Sequence, residues 1–125
     1  MKKFLKSFLA LGLLAGATAS AAELTVYSHR HYDSDAVLFK QFTEETGIKV
    51  KVVKGSADQL IQRLASEGKN SPADVLLTVD AGRLHRAKAA GVLQPVNSKA
   101  LAKNVPASMH DPEGHWYGMT VRSRV

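Results

Sequence analysis

Strand-like and helix-like segments alternate along nearly the whole chain, and this alternation restricts the fold more than any single motif. "ELTVYS" (23–28) alternates and is β-branched enough for a first strand. Val37, Leu38, Phe39 and Phe42 then supply an apolar stripe before Gly47, which predicts a helix. "IKVKVVKG" (48–55) alternates again, as a second strand does. Ser56 followed by Gln59 predicts a capping box, opening a helix whose Leu60, Ile61 and Leu64 recur at helical spacing until Gly68. "NSPADVLLTV" (70–79) predicts a loop and then a strand buried on both faces. "DAGRLHRAKAAG" (80–91) predicts another helix, closed by Gly91. A short extended piece, a helix or turn over Ser98 to Asn104, a loop and a last strand over "WYGMTVRSRV" (116–125) complete the pattern. The order predicts an α/β layer with a mostly parallel sheet flanked by helices.

Residues 1–21 stand apart. A basic lead "MKKFLKS", an apolar run "FLALGLLAGA" and a small-residue end with Ala19 and Ala21 form the three parts of a secretory signal peptide, with cutting expected after Ala21. The run is well short of the ~20 residues that a spanning helix needs. The paired lysines and short apolar run suit bacterial export, and so the periplasm, leaving 22–125 as the mature portion. Losing Lys2, Lys3 and Lys6 lowers the charge from +6 to +3, with 14 basic and 11 acidic residues left. That balance gives no reason to expect a nucleic-acid partner. With no cysteine in the chain, disulfides and thiolate metal sites are excluded. Any metal must take oxygen or imidazole ligands.

Ligands of open parallel sheets sit beyond the carboxyl ends of the strands. Two segments lie there: the corner "YSHRHYDSD" (27–35) and residues 78–82. His31 and Tyr32 could converge on one ion in a loop, and phenolate suits a small trivalent cation. The competing reading has the Tyr32 hydroxyl in solvent and His31 capping a backbone group, and residue types alone favour it. His29 reads as solvated, and Asp33 or Ser34 as the cap of the following helix, with Asp33 and Asp35 as helix-opening residues. Asp74 is expected to neutralise a lysine or close a turn, and Asp80 to cap the next helix. His85 falls on a solvated helical face. His110 and His115 lie in a Pro/Gly loop, as ligands or merely exposed. Arg122 and Arg124 make one face of the last strand basic. No G-x-S-x-G, H-E-x-x-H, P-loop or dinucleotide fingerprint occurs.

Taken together, "ELTVYSHRHYDSD…LFKQFTEETGIKVKVVKG", "ADQLIQRLASEGKNSPADVLLTVDAGRLHRAKAAGVLQPV" and "WYGMTVRSRV" resemble the periplasmic ferric-iron-binding proteins of ABC importers, in the branch that carries an R-H-Y corner. The resemblance implies part of a type II-like periplasmic-binding-protein fold, in which two α/β lobes close on Fe(III). The ion is then delivered to an inner-membrane permease. It implies Tyr32 as the tyrosine ligand of the N-terminal lobe and His31 as a companion that ligates in some members. Arg122 matches a basic residue near the pocket that compensates phenolate charge or meets a synergistic anion. Asp80, beyond the third strand, is the other residue expected beside the pocket. A glutamate ligand of some relatives is replaced here by Val79, and the family's adjacent tyrosine pair is not found. The expectation is therefore a monomeric N-terminal fragment without its second lobe, not an enzyme, that binds iron weakly or not at all alone.

Two other functions fit parts of the pattern. Helix openings at 34 and 80 could cradle an oxyanion in a binding protein for another small solute. His31-x-Asp33 with His110 or His115 formally matches the triad of non-haem iron oxygenases, but that site needs a scaffold of antiparallel strands.

Overall fold

The computed structural model describes residues 21–123. Almost all of the expected export leader, and the residues Arg124 and Val125, lie outside the described residues. The chain runs β1 (Glu23–Ser28), α1 (Asp33–Thr46), β2 (Lys49–Lys54), α2 (Ala57–Glu67), β3 (Val75–Leu77), α3 (Ala81–Ala89) and α4 (Lys99–Asn104). Single 3-10 turns follow α2 at Gly68–Asn70 and α4 at Ala107–Met109.

The three strands form one parallel sheet in the order β2-β1-β3. Val26 at the centre of β1 pairs with Val52 on one side and Val75 on the other. The chain steps from β1 to β2 in one direction and from β2 past β1 to β3 in the other. Right-handed crossovers then put α1 and α2 on opposite faces. The end of β1 thereby becomes the switch point of the sheet, where the connections to its two neighbours diverge.

Local signals explain most boundaries. Gly47 ends α1 in the left-handed conformation at φ 73°, with its N–H on the Thr43 carbonyl. Ser56 and Gln59 form the expected capping box of α2, each side chain bonding the other's backbone N–H. Asp80 and Ser98 cap α3 and α4 by accepting from the backbone N–H three residues on. The cap of α1 differs from expectation. Tyr32 occupies that position in extended conformation and makes no side-chain cap bond, while Asp33 and Asp35 fall in the first turn. Their carboxylates there face the positive end of the helix dipole.

The core is small and lies on both faces of β1, with α2 against the strand and α3 against α2. Tyr27 is fully buried, and Val26, Ala57, Leu60 and Ala87 are nearly so. The Tyr27 hydroxyl lies 3.0 Å from both Glu67 oxygens, and the Arg63 guanidinium sits 4.9 Å from its ring centroid. Burial and the Glu67 carboxylate push the Tyr27 phenol upward, in that order. Alternation puts Tyr27 on one sheet face and Val26 and Ser28 on the other. The α1 side is less covered: Val37 and Leu38 are exposed and α1 has no buried residue.

Two strand expectations need correction. β3 is only three residues long and is not buried on both faces, since Val75 is 38% exposed. Among the described residues it pairs on one side alone, which leaves its other edge uncovered. Residues 116–123 form no strand. A single antiparallel bridge joins His110 to Tyr117, and no neighbouring strand continues the ladder. Asp74, meanwhile, pairs with no lysine among the described residues. It lengthens the β1–β3 contact, accepting from the Thr25 N–H at 2.8 Å and donating to the Thr25 carbonyl at 2.9 Å.

Candidate metal centre

The corner after β1 is anchored on both sides. The Ser28 carbonyl accepts from Gly55 at the end of β2, and the His29 N–H donates to Leu77 at the end of β3. The Ser28 hydroxyl, itself buried, accepts from the Arg30 N–H at 3.1 Å, a local turn that competes with further strand. Residues 31–34 are exposed. Tyr32 therefore stands at the switch point with 37% of its surface open, positioned by fixed backbone on the strand side and by α1 on the other.

Three side chains gather on Tyr32. The His31 ring stacks on it with centroids 5.1 Å apart. The Arg30 guanidinium lies 5.0 Å from its centroid. Arg122, ninety residues away in sequence, donates from Nη2 to the Tyr32 hydroxyl and sits 5.8 Å from the ring centroid. Of the four residues expected at the site, the structure thus brings together Tyr32, His31 and Arg122. Asp80 is the expected cap of α3. One Asp80 oxygen accepts from the Arg83 N–H at 2.8 Å and the other meets the Arg83 guanidinium. Those contacts, the backbone one first, hold its carboxyl below the ordinary value.

A residue pair missed by sequence reasoning shares the corner. Arg30 donates from Nε and Nη2 to the two Asp35 oxygens at 2.8 and 3.0 Å, a bidentate fork. The Asp35 hydrogen bond holds the guanidinium above its ordinary value. The signal was present as opposite charges five residues apart, but only a bend of the backbone lets them meet. His29 also departs from expectation: it is half-buried, and its Nδ1 has no partner among the described residues.

His110 and His115 lie away from these contacts. The His110 ring faces Tyr117 at 5.2 Å, and its Nδ1 lies 2.8 Å from the Asp111 carbonyl oxygen. His115 Nδ1 sits 2.9 Å from Asp111 Oδ2, within a cluster that also holds Glu113. Lys88 fills this cluster electrically, with Nζ on both Asp111 and Glu113. The Lys88 hydrogen bond and then the His115 backbone N–H hold the Asp111 carboxyl well below the usual carboxylate range. His85 is exposed on α3, as expected.

Residues 30–117 match the family of bacterial extracellular solute-binding proteins. The chain is similar to iron uptake protein A1 of Synechocystis, with 51% identity over 112 residues, covering 90% of this chain and 31% of that protein. It is similar in structure to a Trichodesmium protein, IdiA or FutA, solved in complex with iron and citrate. There the TM-score is 0.75 at 52% identity, over 78% of this chain and 31% of that one. A ferric binding protein from Campylobacter jejuni matches at TM-score 0.74 and 46% identity, over 75% of this chain and 30% of its own. The chain spans about a third of the length of these relatives.

Proposed function

The chain belongs to the bacterial extracellular solute-binding proteins, and on that premise we propose that it is the N-terminal, iron-receiving lobe of a periplasmic ferric-iron receptor serving an ABC importer. Its sheet and helices are part of the type II-like periplasmic-binding-protein fold. The observation that carries the reading is the exposed Tyr32 phenol at the switch point of the sheet, with an arginine donor on its oxygen. Fe(III) is cargo, released to a membrane permease, and not a resident cofactor. The chemistry is binding, not catalysis.

Tyr32 supplies the phenolate oxygen and His31 an imidazole nitrogen. A hard trivalent cation favours the first, and the cysteine-free chain offers nothing softer than the second. Arg122 offsets the phenolate charge, or holds an anion that binds with the metal; the similar Trichodesmium protein was solved with iron and citrate. Residues 1–21 direct export, and the lobe begins at residue 22. One phenolate and one imidazole leave most positions of an octahedral ferric ion to water, citrate or groups from a second lobe. Binding by this chain alone is therefore weak.

Titration of the purified chain with ferric citrate tests the reading. The expected result is a weak visible band of tyrosinate bound to iron, lost in Tyr32→Phe. An unchanged band in Tyr32→Phe would refute Tyr32 as ligand. A submicromolar affinity in the wild-type chain would refute the account of an incomplete site.

A further inference from the structure

We infer that Arg30 and Asp35 form the positioning device of this site: the carboxylate locks the guanidinium over the Tyr32 ring, and the pair holds the phenol where the ion meets it. The inference rests on the reading of Tyr32 as ligand and adds residues to which no role in the site was assigned.

The geometry supplies the argument. Arg30 sits on the strand side of the corner, its backbone N–H tied to the buried Ser28 hydroxyl. Asp35 sits on the helix side, its backbone N–H bonded to the Tyr32 carbonyl at 3.1 Å. The fork between them closes the corner over residues 30–35, with Tyr32 inside. Both side chains are largely withdrawn from water, at 21% and 13% exposure, so the pair is less screened than an open surface ion pair. Two parallel hydrogen bonds fix the plane of the guanidinium as well as its place, which a lysine cannot do. The ring beneath it, 5.0 Å from centroid to Cζ, loses freedom accordingly.

Charge explains why a carboxylate is needed. Two guanidinium groups flank a phenol that must receive a trivalent cation, and each would repel the ion. Asp35 neutralises Arg30, whereas Arg122 makes no ion pair among the described residues. The two arginines thus divide the work. Arg30, made neutral as a pair, orients the ring, and Arg122 answers the negative charge on the oxygen. Sequence reasoning takes Asp35 only for a helix-opening residue.

The test compares Asp35→Asn and Arg30→Lys with the wild-type chain, using ferric citrate as probe and NMR of ring-labelled tyrosine without iron. Of the three tyrosines, Tyr32 is assigned by its loss in Tyr32→Phe. Both variants should shift the Tyr32 ring resonances in the iron-free chain and raise the ferric citrate midpoint by about 10- to 100-fold, the usual effect of losing a partner that orients a metal ligand. The exchange Arg30→Asp with Asp35→Arg remakes an ion pair but moves the cation off the ring. It should leave binding weak. Wild-type affinity in the exchange variant would mean that the pair only staples the corner, and would overturn the inference. Unmoved Tyr32 resonances in Arg30→Lys and Asp35→Asn would overturn it as well, whatever the iron titration shows. An unchanged ferric band in Tyr32→Phe instead indicts the ligand assignment.

Discussion

Gly118 is the position where one methyl group should do most damage. Its backbone N–H donates to the Met109 carbonyl at 2.7 Å, the bond that holds the 110–117 loop closed beside the His110–Tyr117 bridge. A Cβ built there falls 2.9 Å from the same Met109 oxygen, closer than real Cβ atoms approach. Relief needs a retreat of about 0.5 Å, which stretches the hydrogen bond to the long end of the N–H···O range. The clash cannot be absorbed by a rotamer, since the opposing atom is backbone. Overpacking and the weakened bond together come to about 2–4 kcal/mol. Gly118 also lies on the segment that carries Arg122 to Tyr32, so its displacement should weaken the ferric band. Urea denaturation of Gly118→Ala, followed by circular dichroism, measures the loss. Gly47→Ala is the control: at φ 73° with open space around it, only backbone strain opposes the new side chain, at about 1–2 kcal/mol. A Gly118→Ala chain within about 0.5 kcal/mol of wild type would refute the steric argument.

Ser56→Ala should cost about 1 kcal/mol, because it removes the acceptor for the Gln59 N–H in the capping box of α2; thermal denaturation reads it, and no change in midpoint would count against the cap. Asp111 should make a pH-dependent contribution. Its carboxyl is lowered in the folded chain by Lys88 and then by the His115 backbone, so its stabilisation is full above the unfolded value of about 3.9 and is lost as pH falls through the lowered folded value. The gap in melting temperature between wild type and Asp111→Asn should therefore stay constant above about pH 5 and narrow below about pH 4. A gap that persists undiminished at about pH 2 would show that Asp111 is not linked to folding in this way.

The candidate site was legible in part. Tyr32 and His31 stand out because they follow a clear strand and precede a clear helix, and position after a parallel strand is a property of local pattern. Arg122 could be named from family resemblance, but its contact with Tyr32 could not be read from spacing. The Arg30–Asp35 fork escaped because Asp35 carries a sufficient local explanation at a helix opening. His29 escaped because exposure depends on what packs from β3, not on its neighbours in sequence.

The same division runs through the molecule. Capping boxes, left-handed glycines and apolar periods act within one or two turns of chain, so the amino-acid order alone determined that strands and helices alternate and nearly where each begins. Strand length, burial and closure need a partner brought from afar. β3 shortens where its second neighbour is missing among the described residues, the 116–123 segment stays open beyond one bridge, and Arg122 reaches a phenol ninety residues away. Those outcomes belong to the tertiary structure, because only packing decides which distant groups share space.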